Sequence, residues 1–502
     1  MGTLIAKGGR PHVVVMGAGP AGLTAAYELF KHDITVTILE KDSHQVGGLA
    51  RTVEHKGYRF DIGGHRFFSK NQEVEDLWTE ILDQEMLNRG RLSRIYYRGR
   101  FFAYPIQAVN ALWNLGPLEA VRCVASYAWA RLTPVKNPKS LEEWVRNQFG
   151  WRLFSIFFKT YTEKVWGIST KELSADWAAQ RIKSLDLWLV LRSALIPRRA
   201  AKNRGEIVTT LIDRFRYPRF GPGQMWERVA DISREKGSPV QFGRSIESIS
   251  HADGRVQSIV SRTDEGKLEE HAGTDFVSSI PIRELIGRLD PPAPEAVRRA
   301  ADHLSYRDFI SVALMIDKAE VFPDNWIYIH DPSVRVGRIQ NFKNWSPDMV
   351  PDQSKTCLGL EYFCFEGDGL WTSDDAALVK LAGEELAHLG ICTPDLVFDG
   401  VVVRQQKAYP VYDDAYQSRV DIIREYLQSH LPNLHLIGRN GMHKYNNQDH
   451  SMMTALLVAR NIATDSKFDP WKVNADAVYH EDIRAGERDL TGRLVPQTIA
   501  AG

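Results

Sequence analysis

Cysteine is scarce and scattered in this chain, and that scarcity excludes two chemistries. The four cysteines, Cys123, Cys357, Cys364 and Cys392, form no CxxC pair, so neither a zinc knuckle nor a dithiol redox motif is encoded. So few isolated thiols fit a reducing compartment, and a cytoplasmic location is expected. Net charge is missing too: 63 Lys and Arg balance 63 Asp and Glu, which gives no general attraction to nucleic acid. No run of about 18 uncharged apolar residues occurs, so no transmembrane span is expected. The polar residues before His12 carry no signal-peptide core. The apolar stretch from Phe101 to Leu132 is broken by Pro105, Pro117, Glu119 and Arg122. It reads as buried helices, with peripheral membrane contact as its alternative. Internal repeats, low-complexity segments, metal-ligand clusters and a Ser-His-Asp set are lacking as well, so no metal is expected.

What is present begins with a nucleotide fingerprint. Val13-Val14-Val15-Met16 is a short apolar run of the kind buried in a parallel sheet. Gly17-Ala18-Gly19-Pro20-Ala21-Gly22 follows, then a helix-forming segment from Leu23 to Lys31. Gly17 permits the tight turn, Gly19 lets the backbone approach a pyrophosphate, and Gly22 lets helix and strand pack closely. The pyrophosphate then meets the positive end of a helix. A second strand, Thr35 to Leu39, ends in Glu40, 18 positions after Gly22, where a carboxylate accepts hydrogen bonds from an adenosine ribose. Strand, glycines, helix, strand and acid arrive in order, which is stronger evidence than the glycines alone.

The next segment bears on which dinucleotide is held. Gly47-Gly48-Leu49-Ala50-Arg51, just after Glu40-Lys41, resembles the glycine doublet of the FAD-dependent amine oxidase and protoporphyrinogen oxidase superfamily. Paired glycines let the chain pass a flat cofactor closely, and Arg51 can reach its phosphates. The cofactor this implies is FAD.

At 502 residues the chain is too long for one compact core. The expected fold is α/β: a Rossmann-like FAD-binding domain of the two-dinucleotide-binding-domain flavoprotein type, interleaved with a helical and antiparallel-sheet substrate domain. The FAD domain is expected in three pieces, 10–75, 216–285 and 411–465. Between them lie a mostly helical cap at 76–215 and a substrate sheet at 286–410. A polar, loose tail is expected at 466–502. The flavin would lie at the domain interface, where ligand pockets commonly form.

Four stretches resemble the UDP-galactopyranose mutase family. They are Gly63-Gly64-His65-Arg66-Phe67-Phe68, Tyr161-Thr162-Glu163-Lys164-Val165-Trp166-Gly167, Arg338-Ile339 with Phe342-Lys343, and Ile437-Gly438-Arg439 with Lys444-Tyr445 and the helix after it. The second is the most specific. The resemblance implies a sugar nucleotide or other glycosyl diphosphate as substrate, in polysaccharide biosynthesis. It also implies reduced flavin, whose N5 serves as nucleophile at the anomeric carbon. By resemblance His65 donates near the flavin N5 and O4 edge. Gly64, Gly438, Arg439 and Met452 line the cofactor, and the helix start near Asp449 faces the N1–O2 edge. Arg338, with Arg181 second, would hold the diphosphate through paired hydrogen bonds. Tyr161 or Trp166 would carry the uracil.

The departures count as much. Where the mutases usually have two tyrosines, this chain has Ala408-Tyr409-Pro410, and where they have Tyr-x-Tyr it has His443-Lys444-Tyr445. His443 and Tyr445 are therefore substrate-contact candidates, and the substrate is expected to differ from UDP-galactose. An insertion after Arg181 adds Arg192, Arg198, Arg199, Lys202 and Arg204. The rival expectation is an amine oxidase or protoporphyrinogen oxidase type of oxidoreductase that accepts a hydride at N5. NAD(P)H or another reductant, and a homodimer, are the further partners left open.

Overall fold

The computed structural model describes residues 11–104, 106, 108–173, 175, 209–211, 214–464, 466–474 and 482–484. A five-stranded parallel sheet gathers strands from distant parts of the chain. Their order is Val240–Gln241, Thr35–Leu39, His12–Met16, Asp275–Ser278 and Leu434–Leu436. The strands come from three separated stretches of the chain, 12–39, 240–278 and 434–436, and His12–Met16 lies between Thr35–Leu39 and Asp275–Ser278. Val13, Val15 and Ile38 lie on the face packed by the helices Pro20–Phe30 and Gln448–Thr464. Val14, Met16 and Phe276 pack the opposite face. Both faces are covered, so the strands read as continuous apolar runs rather than alternating ones.

A second sheet has seven strands. In order they are Val397–Pro410, Tyr306–Ile316, Thr356–Cys364, Arg338–Asn341, Trp326–Ile329, Ser93–Tyr97 and Arg100–Ala103. It is antiparallel apart from the pairing of Trp326–Ile329 with Ser93–Tyr97. Every residue of Tyr306–Ile316 is buried. Ile310, Val312 and Leu314 face the Asp375–His388 helix, while Ala313 and Met315 face Phe342 and Trp345.

Among the described residues of 76–215, short strands stand beside the helices. Arg98-Gly99 both adopt positive φ, 49° and 75°, and close a hairpin between Ile95-Tyr96-Tyr97 and Phe101-Phe102. That turn signal outweighs the surrounding helical pattern. The Phe101–Leu132 stretch also differs from expectation. Its helices Ala108–Leu115 and Pro117–Leu132 are not fully buried, and large apolar side chains on them face outward. The tail is packed where it is described, because Lys444 Nζ donates to the Trp471 and Val473 carbonyls and Val473 is buried. Among the described residues no helix is long and apolar enough to cross a membrane. All four cysteines are free and buried.

Candidate flavin and substrate site

The fingerprint builds a cradle. Gly17 has φ +99° and its N–H donates to the Leu39 carbonyl, which turns the chain sharply off the first strand. A Cβ on Gly22 would stand 1.8 Å from the Gly17 oxygen, so only glycine lets that helix start there. Pro20 sits in the first turn, with Gly19 as N-cap and Ala21 buried behind it. Gly48 lies opposite Gly19, where a Cβ on Gly48 would meet the Gly19 Cα at 3.4 Å. The Glu40 carboxylate accepts from Ala18 N–H at 2.7 Å and from Asp42 N–H at 2.9 Å, fixing the acid at the mouth of the turn. Burial pushes its pKa up. Lys41 beside it is exposed. Arg51 donates to the Gly48 carbonyl and to Gln405 Oε1, which points its guanidinium along the cradle. Leu49 is partly buried and packs against the cluster that includes Phe309 and Phe363. These residues fit a dinucleotide: two glycine turns face each other without side chains, a helix start lies behind them, and a carboxylate stands at the far strand.

At the C-terminal end, Gly438 has φ +77° and a Cβ there would press on Ala21. Arg439 donates to the Asn446 and Ala408 carbonyls, so it braces the segment before Gln448–Thr464 against the Val397–Pro410 strand. Asp449, in the first turn of Gln448–Thr464, accepts from Ser69 Oγ at 3.0 Å. Met452 is buried, its sulfur taking the Trp78 indole N–H at 3.1 Å, so its side chain serves the core.

His65 stands between this cradle and the second sheet. A Cβ on Gly64 would meet Gln340 Nε2 at 2.8 Å, so the His65 turn rests directly against the Arg338–Asn341 strand. Burial, then the positive charges of Arg439 and Arg338, lower the His65 pKa to about 3. The imidazole is neutral and offers one donor and one acceptor.

Across from His65 lies Arg338. It is the direct cross-strand neighbour of Glu361, and its Nη1 stands 3.3 Å from Glu361 Oε2. Its Nη2 donates to Tyr161 Oη at 3.3 Å, and its Cζ lies 5.5 Å from the Tyr328 ring centre. Burial opposes the Arg338 charge, but Glu361 and the nearby phenols outweigh it and hold the pKa above the usual range. Burial likewise raises Glu361, against the pull of Arg338 and the Gln340 hydrogen bond. Arg338 keeps its proton, and its charge opposes the burial that raises Glu361.

Aromatic rings complete the wall. Tyr161 stacks on His330 with ring centres 4.8 Å apart and meets Tyr328 edge-on. Tyr409 and Tyr445 stack at 5.6 Å, with the Arg439 guanidinium within 5.5 Å of both ring centres. Trp166 lies 6.2 Å from Tyr445 and 6.3 Å from Tyr409. The Tyr161–Gly167 signature thus divides its labour: Tyr161 and Trp166 join the aromatic wall, whereas Lys164 donates to three carbonyls of the 329–336 loop. Burial lowers the Lys164 pKa to about 8.

The structure therefore brings together His65, Arg338, Tyr161, Trp166 and Tyr445. It does not bring His443 to them. That ring is buried against Tyr306, its Nε2 lies 3.4 Å from the Val411 carbonyl, and burial lowers its pKa to about 4. Arg181 and the cations from Arg192 to Arg204 lie outside the described residues. Five neighbours of the site were not singled out from sequence: Glu361, Tyr328, His330, Arg66 and Arg91. Arg66 and Arg91 place their guanidinium carbons 5.8 and 5.6 Å from the Trp326 ring centre. Glu361 did leave a signal, a lone carboxylate in the apolar run Thr356–Cys364.

Comparison with known proteins agrees with this layout. Residues 15–81 match the model of an NAD(P)-binding Rossmann-like domain. A Klebsiella pneumoniae protein named "Probable UDP-galactopyranose mutase" is 26% identical over 176 residues, 33% of this chain and 43% of its own. A phytoene dehydrogenase from Streptomyces griseus is 25% identical over 321 residues, 59% of each chain. The chain thus spans less than two thirds of the length of these curated relatives. A crystal structure of reduced UDP-galactopyranose mutase superposes with a TM-score of 0.78 at 23% identity, over 94% of this chain and 99% of that one. The chain shares the fold of that mutase along nearly its whole length, and over part of its length it is similar in sequence to a probable UDP-galactopyranose mutase and to a phytoene dehydrogenase.

Proposed function

We propose that the protein is a flavin enzyme acting on a glycosyl diphosphate, with a sugar nucleotide as its leading substrate. The observation that carries this reading is the convergence of Arg338, Tyr161, Tyr409 and Tyr445 on the side of the neutral His65. A guanidinium among phenols suits a diphosphate flanked by a ring. Reduced FAD, when bound, supplies an electron-rich N5 to the anomeric carbon. The chain supplies the rest. Gly17, Gly19, Gly22, Glu40, Gly48 and Arg51 would hold the dinucleotide, and His65 would orient at its edge without adding charge. Arg338 would neutralise the leaving diphosphate, and Tyr161 would steady the guanidinium. The rings of Trp166, Tyr409 and Tyr445 exclude water from one wall.

The test is turnover of a sugar-nucleotide panel by protein reduced with dithionite under nitrogen. Interconversion that requires reduction and consumes no oxygen supports the reading, as does a flavin heavier by one sugar after cyanoborohydride treatment. A second reading, a hydride-accepting oxidoreductase, is favoured by Glu361, which already balances Arg338 inside the protein. It predicts bleaching of the oxidised flavin by a substrate without a diphosphate. That result, with no isomerisation by the reduced protein, would replace the first reading.

A further inference from the structure

The Pro117–Leu132 helix turns an apolar stripe to solvent. Leu118 is 68% exposed, Trp129 69% and Leu132 78%, and Trp113 on the preceding helix is 85% exposed. At about 100° per residue, the outward arc from Val124 through Val121, Leu132 and Leu118 to Trp129 is about 140° wide. Arg131 and Arg122 border the arc, each about 20° beyond its edges. The other side of the helix is satisfied: Cys123 is buried in a core with Val145 and Phe149, and Tyr127 is buried as well. The acid of this helix, Glu119, lies off the stripe and is held by Arg152 and Arg122. The stripe is therefore not an unfilled core face of this helix.

Charge chooses the occupant. Residues 98–159 contain nine Lys and Arg against three acids, Glu119, Glu142 and Glu143, although the whole chain is neutral. A second copy placed here by a two-fold axis would set this positive region against itself. An anionic bilayer complements it. Exposed tryptophans and bulky aliphatics bordered by arginines are the pattern of a helix lying in a membrane interface, its apolar side about 5–10 Å deep.

We infer that the face formed by Trp113, Leu118, Val121, Trp129 and Leu132 docks the protein peripherally onto an anionic lipid bilayer. Tyr104, four residues ahead of the Ala108–Leu115 helix, has its ring 4.7 Å from that of Tyr328 at the candidate site. Docking would hold the site close to the bilayer surface. The inference rests on this exposed surface and its charge and does not depend on the proposed chemistry.

Full-length protein carrying its flavin is sedimented with vesicles of phosphatidylcholine alone or in equimolar mixture with phosphatidylglycerol. The wild type is expected to pellet with the anionic vesicles, less so at high salt. The L118E/W129E variant, with flavin content and circular dichroism unchanged, should partition at least about tenfold less. Each of R122Q and R131Q should lower anionic-vesicle binding about fivefold. Absence of wild-type binding, or equal binding by L118E/W129E, overturns the inference. A concentration-dependent dimer that L118E/W129E abolishes, without vesicle binding, overturns it in favour of a second copy.

Discussion

Arg338 and Glu361 offer a double-mutant cycle with two readouts. Adjacent strands place the two residues in register, and both lie in the interior. In R338M the cation is gone while Glu361 keeps only the Gln340 amide, so a buried carboxylate loses its counter-charge. Breaking one side of such a pair costs about 3–5 kcal/mol. E361Q keeps the shape and leaves Arg338 with Tyr161, so it should cost less, about 1–3 kcal/mol. The double variant removes both charges and should recover much of the loss, giving a coupling of about 1–3 kcal/mol in urea unfolding. Additivity within about 0.5 kcal/mol would refute the ion pair. Burial has already raised the Glu361 pKa, and R338M should raise it further by removing the charge that lowers it. A group with raised folded pKa contributes its stability below its unfolded value and loses it as pH rises through the folded one. R338M should therefore approach the wild type in stability as the solution is acidified toward the ordinary value of 4.5. The second readout is UDP affinity. R338M should weaken binding by about 2–5 kcal/mol, whereas E361Q should leave it equal or tighter because Nη1 is released. Equal weakening in both variants would reassign Glu361 from competitor of the phosphate to positioner of the guanidinium.

Three further outcomes follow from the geometry. G22A should purify without flavin absorbance, because its methyl collides with the Gly17 carbonyl; full flavin content would refute the cradle. His65, His330 and His443 have pKa values lowered from 6.5 to about 3, 3 and 4 by burial, so the unfolded chain binds protons that the folded one refuses. Unfolding free energy should fall as pH drops below 6.5, and H443Q should flatten that slope; an unchanged slope would place the His443 ring in water. Lys164, lowered from 10.5 to about 8, should make the wild type gain stability relative to K164M as pH rises through that window, read by urea unfolding; a constant difference would show an ordinary lysine.

The nucleotide cradle was legible because its determinants are local. Strand, turn glycines, helix and acid follow one another from His12 to Glu40, and each has its own backbone reason. Phe101–Leu132 was misread for a related cause. Its apolar content announced burial, but content carries no direction. The helical period does: Cys123 and Tyr127 fall on one side of the turn, and Leu118, Val121 and Leu132 on the other.

The substrate wall was only half legible, and strand pairing explains why. Tyr161 and Trp166 sit within one short signature, yet Tyr328 meets Tyr161 from a distant part of the chain, on a strand that sets it opposite Arg338. No window of residues encodes that pairing. Arg338 stands out by resemblance to a phosphate-binding strand, while its partner Glu361 lies unmarked in an apolar run. Yet a carboxylate in the run with Leu358, Leu360 and Tyr362 calls for a cation, and of the two residues the antiparallel register sets opposite it, Ser311 and Arg338, only Arg338 is charged. The two residues are one feature of the sequence. The chain holds its guanidinium in place with its own acid, so an incoming diphosphate must compete with Glu361 for Nη1. Any affinity Arg338 contributes is then the difference between two ion pairs, and E361Q isolates that difference.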